Sequence, residues 1–319
     1  MSRQTNKYFL FFRIAITIFI FFALFKLVPY QKLAEVCKES HKGYLLLGFV
    51  LYFPCYIIGA ARWRYILASL DIHITFKEAF SALFCGLFFN LFFPSIVGGD
   101  VFRGFSISAR GKSKHDIASS ILMDRFSGAV ALTILTLLSF ALGSKMLHSK
   151  QIVFSVFLFS FLMLLVSLLI FSKRFFLKAM AIFGKNSLIK EKIINFHDRL
   201  YFFKRNPKIF LKSFLFSFPI QITTILSFYA VAKAFSVNVN ILYFFILVPI
   251  IGAIALLPIT IAGAGTREMS AMYFFSLIGI GESIGLGISL VELFFVIFIG
   301  ILGGIFYVTV YHRRLQSSS

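Results

Sequence analysis

Seven ionisable side chains fall inside or at the edge of long apolar runs, where charge is costly enough to suggest function. Asp124 and Arg125 lie about seven residues into an apolar run that opens near 117, and Glu292 lies at a comparable depth in the run 284–310. Arg103 and Arg267 follow closely on Gly98-Gly99 and on Gly263-x-Gly265, each with an acid nearby, Asp100 and Glu268. The chemistry such a set offers is anion binding. Glycines let backbone N–H groups come close to a ligand, and a helix that starts just after them turns its positive end toward it. The planar fork of Arg matches phosphate oxygens. A phospholipid or polyprenyl-phosphate headgroup is the membrane ligand with that chemistry.

The substrate-binding set read from the sequence is Asn90, Gly98, Gly99, Asp100, Arg103, Asp124, Arg125, Gly263, Gly265, Arg267, Glu268 and Glu292, with Pro94 and Pro258 as helix breakers. No residue is assigned a catalytic or metal-ligating role. A structural reading stands beside the functional one: Asp100 with Arg103 and Arg267 with Glu268 as ion pairs at helix ends, Asp124 with Arg125 as a snorkelling pair. Asn90, four residues before Pro94, either bonds the carbonyl freed by that proline or faces a cavity.

Only a membrane can place these groups. Of the 319 residues, 59% are hydrophobic and 14% charged, with a mean hydropathy of +0.91. A soluble domain is near half apolar and a quarter charged. Apolar runs of roughly 20 residues match about 30 Å of hydrocarbon. Disorder, coiled coil and secreted disulfide scaffold are excluded by the same figures. Lys and Arg number 32 against 12 Asp and Glu, a net charge of +20. Basic cytoplasmic loops facing anionic lipid account for that surplus. No base-reading module accompanies it, so nucleic acid is not an expected partner. The N-terminal run from Tyr8 to Val28 follows Arg3 and Lys7 but precedes no small-x-small cleavage site, and reads as an uncleaved first span.

Full spans are expected at about 8–28, 43–67, 117–142, 151–172, 209–233 and 284–310. Two further runs, about 79–97 and 241–262, end in Pro and Gly instead of charge, and 269–280 is apolar but too short to span alone. Each Pro/Gly run has Pro followed by Gly five residues on (Gly99, Gly263) and by Arg nine residues on (Arg103, Arg267). Paired interruptions at matching places in two halves point to a transporter-type site. Positive-inside counting narrowly favours both runs being re-entrant over both crossing. The expectation is a single all-α polytopic domain over 1–319. It has about six full spans and two re-entrant Pro/Gly-broken helices, arranged as inverted repeats 1–142 and 151–310, with eight full spans as the alternative.

Other features read more plainly. Arg62-Trp63-Arg64 closes the second span as an aromatic and cationic interfacial anchor. The basic loop 173–208, interleaved with Phe and Ile, reads as a cytoplasmic interfacial docking surface. Gly281-x-x-x-Gly285 and Gly300-x-x-x-Gly304 suit close helix packing within the bundle. The six histidines fall in loops or at ends, the three cysteines are scattered, and there is no phosphate-binding GxxxxGK[ST] loop. No cofactor is expected, and an enzyme is disfavoured.

The pattern Asn90-x-x-x-Pro94-x-x-x-Gly98-Gly99-Asp100-x-x-Arg103, then Gly111 and Asp124-Arg125, then Pro258 with Gly263-x-Gly265-x-Arg267-Glu268, resembles the lysylphosphatidylglycerol synthase transmembrane region family, also called flippase-like domain proteins. The resemblance covers roughly 8 to 310, and Arg62-Trp63 fits it. It implies a protein of the inner membrane that moves or handles lipids. In bifunctional members a separate soluble domain lysylates phosphatidylglycerol. Here the sequence closes at Ser319 directly after the last span, so a stand-alone member without that aminoacyltransferase domain is expected.

The function expected on these grounds is a lipid flippase-like transporter for a phosphate-bearing lipid, multi-pass in the cytoplasmic membrane, with both termini cytoplasmic. Anionic-headgroup lipids are its expected partners. The alternatives are a membrane-embedded transferase on a lipid-linked substrate and a non-catalytic partner of a lipid or glycan synthase.

Overall fold

The computed structural model describes residues 22, 31, 38–92, 97–108, 113–143, 145, 149–181, 200–256, 260 and 263–307. Pro94, Pro258, the run 8–28 apart from Phe22, the middle of the 173–208 loop and the C-terminal end lie outside the described residues. Among the described residues there is no strand. Helices whose bounds fall within the described residues are α1 (Lys42–Tyr52), α2 (Pro54–Ala68), α3 (Phe76–Phe92), α4 (Val97–Ser108), α5 (Lys114–Gly143), α6 (Lys150–Phe171), α7 (Lys173–Ala181), α8 (Pro207–Ala234), α9 (Ile241–Ala255), α10 (Thr266–Ser276) and α11 (Glu282–Phe306).

Five helical stretches are long and apolar enough to cross a membrane: Lys42–Ala68, Lys114–Gly143, Lys150–Phe171, Pro207–Ala234 and Glu282–Phe306. These correspond to the expected spans from 43–67 onward. The first of them is α1 and α2 run together with a break at Phe53, because Pro54 carries no N–H to continue the ladder. α6 shows why such helices need lipid. Phe154, Phe157, Leu158, Phe161 and Leu164 all point outward, and water would not tolerate so broad an apolar face. The chain is a multi-pass, all-α membrane protein.

The two Pro/Gly-terminated runs fold differently from the spans. Over the described residues α3 has 17 residues and α9 has 15, about 26 and about 23 Å at 1.5 Å per residue, against a bilayer core of about 30 Å. Each is followed by a second short helix packed against it, α4 on α3 and α10 on α9. In the first hairpin Phe89 stacks on Phe102 at 4.2 Å. A Cβ on Gly99 would run into the Gly86 carbonyl, so the two backbones meet only because both residues are glycine.

The packing then crosses between halves. α3 rests on α11, where Gly300 meets Leu91 and Gly304 meets Phe88. α9 rests on α5, where Gly143 meets Leu242 and Ile246. Each hairpin therefore leans on the last long helix of the other half. α1 and α2 pair with α8 between them, with Gly48 against Val231. Gly285 lies against Ala271 and Met272 of α10, while Gly281 has open space beside it, so the Gly300-x-x-x-Gly304 spacing serves a contact within the bundle and the Gly281-x-x-x-Gly285 spacing does so only through Gly285. One apolar core gathers Ile225, Phe228, Phe244, Phe275 and Phe295; another gathers Ala60, Trp63, Leu67, Ala82 and Ile117.

Candidate functional site

α5 carries Asp124 at its eleventh residue, about 15 Å from its N-terminal end. The carboxylate is buried and held from two sides. Arg62 of α2 donates through Nε to Oδ1 at 2.7 Å, and Arg103 of α4 donates through Nη2 to Oδ2 at 3.0 Å. Arg62 also donates through Nη1 to the Ser217 hydroxyl of α8 at 2.8 Å. Gly128, one turn beyond Asp124, leaves the space that the Arg62 guanidinium fills.

Arg103 extends the network to Asp100, whose Oδ1 lies 3.1 Å from Arg103 Nε. That N–H does not point at the oxygen and has no hydrogen-bond acceptor. Arg125, on the next position of α5 and so on another face, donates through Nε to Asp100 Oδ2 at 2.9 Å and keeps 41% of its side chain exposed. Asp100 stands in the first turn of α4, where the helix dipole favours a carboxylate. The Arg103 guanidinium lies 4.7 Å from the centroid of the fully buried Trp63 ring, whose Nε1 donates to Ser120 at 3.1 Å. Three guanidinium groups against two carboxylates leave a formal surplus of one positive charge.

The second half is built at a similar depth with a different balance. Glu292 is also the eleventh residue of its helix, α11, and is 1% exposed. Its Oε1 lies 2.7 Å from the Ser227 hydroxyl of α8, and its Oε2 has no hydrogen-bond partner. Arg267 does not reach it. That guanidinium donates twice to Glu268 Oε1, at 3.1 Å and 2.9 Å. Glu268 is itself fully buried, accepts from the Gly265 N–H at 2.6 Å through Oε2, and lies 3.3 Å from the Ser289 hydroxyl of α11. Gly263 and Gly265 adopt φ of 75° and 90°, the left-handed region that a side chain resists. They turn the backbone sharply into α10.

Two cavities open on these groups. One, of about 240 Å³, is lined by Arg62, Asn90, Asp100, Arg103, Asp124 and Arg125 among others. The other, of about 310 Å³, is more apolar and takes Arg267 and Glu292 together with Tyr52, Gln221, Phe228 and Leu256. Tyr56 and Asn90 border both.

The structure thus brings Asn90, Gly99, Asp100, Arg103, Asp124 and Arg125 to one cavity and Arg267 and Glu292 to its neighbour. Gly98 is buried in the first turn of α4, and Gly263 and Gly265 shape the entry to α10 without lining either cavity. Asp124 does not pair with Arg125 as a snorkelling pair would; adjacent residues on a helix diverge by about 100°. The ion pairs Asp100 with Arg103 and Arg267 with Glu268 are both present. The Asn90 Oδ1 accepts the Gly99 N–H at 2.6 Å, so Asn90 both clamps the hairpin and faces the cavities. That N–H and the Gly265 N–H are already taken in this conformation.

Arg62 is where sequence reasoning went astray. An Arg-Trp-Arg triplet at the end of an apolar run has the composition of an interfacial anchor, yet Arg62 is 8% exposed and Trp63 is fully buried. Helical periodicity separates the triplet. Arg64 turns outward to the Ile74 carbonyl at 3.0 Å while its neighbours face the bundle. The unmatched charge of Asp124 was the available signal, since a buried carboxylate needs more than one donor. Among the described residues no group of three or more His, Cys, Asp and Glu could hold a metal ion, and Cys55 and Cys85 are free thiols.

A stretch of 105 residues is 29% identical to the UPF0104 membrane protein of Methanocaldococcus jannaschii, covering 32% of this chain and 31% of that protein. The match thus spans about a third of that relative's length. Lysylphosphatidylglycerol synthase TM region matches residues 10–304, which include both hairpins, both cavities and every helix from α1 to α10 with nearly all of α11. By that match, over almost its entire length, the chain belongs to the lysylphosphatidylglycerol synthase TM region family.

Proposed function

We propose that this protein is a flippase-like transporter in the cytoplasmic membrane, with both termini cytoplasmic, that moves a lipid whose headgroup carries a phosphate. The observation that carries this reading is the buried Arg62, Arg103, Arg125, Asp100 and Asp124 network beside a cavity of about 240 Å³. Its surplus of one positive charge matches the single negative charge of a phosphodiester. The unused Arg103 Nε–H and the half-exposed Arg125 are donors that a phosphate can take without breaking the contacts to Asp124. An apolar lining in the adjacent cavity suits acyl or isoprenyl chains.

Residues 1–142 and 151–310 act in this reading as inverted repeats. The crossed packing, α3 on α11 and α9 on α5, supports it, as do Asp124 and Glu292 at the same depth in their helices. Rocking of one repeat against the other exposes the anion cavity to each leaflet in turn. Basic residues of the 173–208 loop bias the nearby surface toward anionic lipid.

The test is leaflet exchange in proteoliposomes, with phosphatidylglycerol, its lysyl derivative and a short polyprenyl phosphate compared side by side. Movement of one of them by the wild type, reduced at least about tenfold in Arg103→Lys of unchanged melting temperature, is the expected result, because lysine keeps the charge but loses the fork. No movement of any of the three by folded wild-type protein overturns the reading and favours the scaffold or transferase alternative.

A further inference from the structure

The two halves place a carboxylate at the same point of corresponding helices and then treat it differently. Asp124 has two arginines. Glu292 has a serine hydroxyl on one oxygen and nothing on the other. Arg267, which follows Pro258 at the same interval that Arg103 follows Pro94, is occupied by Glu268. An ionised carboxylate 1% exposed, with no cation on it, would be far costlier to bury than its neutral form.

The hydrogen count around Ser227 points the same way. Ser227 Oγ lies 2.8 Å from the Gly48 carbonyl oxygen and 2.7 Å from Glu292 Oε1. A hydroxyl has one hydrogen to donate, and a carbonyl oxygen can only accept. Both contacts are hydrogen bonds only if Ser227 donates to Gly48 and Glu292 carries a proton that it donates to Ser227. The remaining oxygen, Oε2, is then the carbonyl oxygen of a neutral acid, the cheapest atom of the group to leave unpartnered.

The geometry points to Glu292 as a proton-exchange site, loaded and emptied through the 310 Å³ cavity it lines, by which movement of the lipid anion draws on a proton gradient. This rests on the transport reading above for its lipid half only. The step is simple: an O–H bond of hydronium in the open cavity breaks as an O–H bond forms on Glu292, leaving water, and on the other side the Glu292 O–H breaks heterolytically, its proton passing to water and its electron pair staying on the carboxylate. One phosphodiester and one proton carried together bear no net charge. The titratable groups facing Glu292 are Tyr52 on α1, Cys55 and Tyr56 on α2 and Arg267 on α10, with Glu268 one turn away through Ser289. From α8 and α9 the cavity receives no titratable side chain, and from α3 only Asn90 and Leu91.

Two measurements on the full-length protein test this. In phosphatidylcholine vesicles holding fluorescent phosphatidylglycerol, an imposed gradient of one pH unit is expected to shift the wild-type leaflet ratio by up to about tenfold, the limit for one proton per lipid. Glu292→Gln, which keeps the shape and a donor toward Ser227, is expected to leave the ratio near one. Wild-type movement that ignores the pH gradient, follows a sodium gradient in its place, or keeps its proton response in Glu292→Gln overturns the coupling. Infrared difference spectra give a readout without lipid: a protonated-carboxyl C=O band that changes with bulk pH in the wild type and is absent from Glu292→Gln. If no such band exists, Glu292 is not a proton site. If the band titrates while no lipid moves, the transport reading fails and the proton site stands.

Discussion

Arg62 and Asp124, 62 residues apart in sequence, meet at 2.7 Å through a guanidinium Nε–H and a carboxylate oxygen, both largely removed from solvent. This contact ties α2 to α5, and the other end of the same guanidinium reaches Ser217 on α8. Three long helices from both halves are therefore joined at one charged group. Arg103 brings in the α3–α4 hairpin through the second oxygen of Asp124. The site's chemistry and the joint between the halves share atoms.

Removing the shared carboxylate leaves two buried guanidinium groups facing each other. Asp124→Ala is expected to destabilise the protein by about 3–5 kcal/mol, the usual cost of breaking one side of a buried pair. The check is the melting temperature in detergent. Arg62→Ala alone is expected to be comparably harmful. The double variant should cost less than the sum of the two, with a coupling of about 1–3 kcal/mol; strict additivity would mean that the pair does not interact.

The turn into α10 depends on Gly263. At φ of 75° a side chain is strained, and a Cβ would press on the Ala255 carbonyl oxygen. Gly263→Ala is expected to cost about 2–4 kcal/mol, combining the left-handed penalty with the clash. Gly43→Ala is the matched control. It lies in the first turn of α1 with no atom within 4 Å of the added carbon, and the substitution is expected to change the melting temperature little or raise it slightly.

Much of this was legible in the sequence. Runs of twenty apolar residues announce spans because length and hydrocarbon thickness are directly comparable, and 43–67, 151–172 and 209–233 reappear as helices within a few residues. The Pro/Gly endings marked the runs of α3 and α9 as different from the spans, and the described helices there are 17 and 15 residues long. What sequence could not give is which way a residue faces when its neighbours are equally polar. Arg62 and Arg64 differ by two positions, about 200° around a helix, and one is buried while the other reaches the Ile74 carbonyl. Nor could it partition the charged set, because Asp100 bridges Arg103 and Arg125 while Glu292 meets neither Arg267 nor any other guanidinium. Those pairings depend on how α4 packs on α5 and α8 on α11, contacts that sequence spacing does not specify.

Trp63 separates the structural from the electrostatic part of the site. Its ring is fully buried in the core with Ala60, Leu67, Ala82 and Ile117, its Nε1–H is used by Ser120, and its face supports Arg103. Trp63→Phe keeps an aromatic face but loses the hydrogen bond and part of the volume, with an expected cost of about 1–3 kcal/mol. Trp63→Ala should cost about 3–5 kcal/mol. Chemical denaturation of the detergent-solubilised protein measures both. A tryptophan serving only as an interfacial anchor would show losses well under these.

Arg125 is the residue at which binding and stability can be told apart. Its ion pair to Asp100 is partly open to solvent, and such pairs contribute about 0–1 kcal/mol. Arg125→Ala should therefore leave the melting temperature almost unchanged while Arg62 and Arg103 keep Asp124 satisfied. Its effect on a bound phosphate is expected to be larger, because a charge-assisted hydrogen bond to an anion is worth about 1.5–3 kcal/mol. That corresponds to an affinity loss of about tenfold to about a hundredfold. Titration of detergent-solubilised protein with a short-chain phosphatidylglycerol gives the affinity, and the same sample gives the melting curve. Unchanged affinity would take Arg125 out of the site and leave the phosphate to Arg62 and Arg103. A loss of affinity matched by an equal loss of stability would make its role structural. Only weakened binding in a protein of wild-type stability places Arg125 on the ligand.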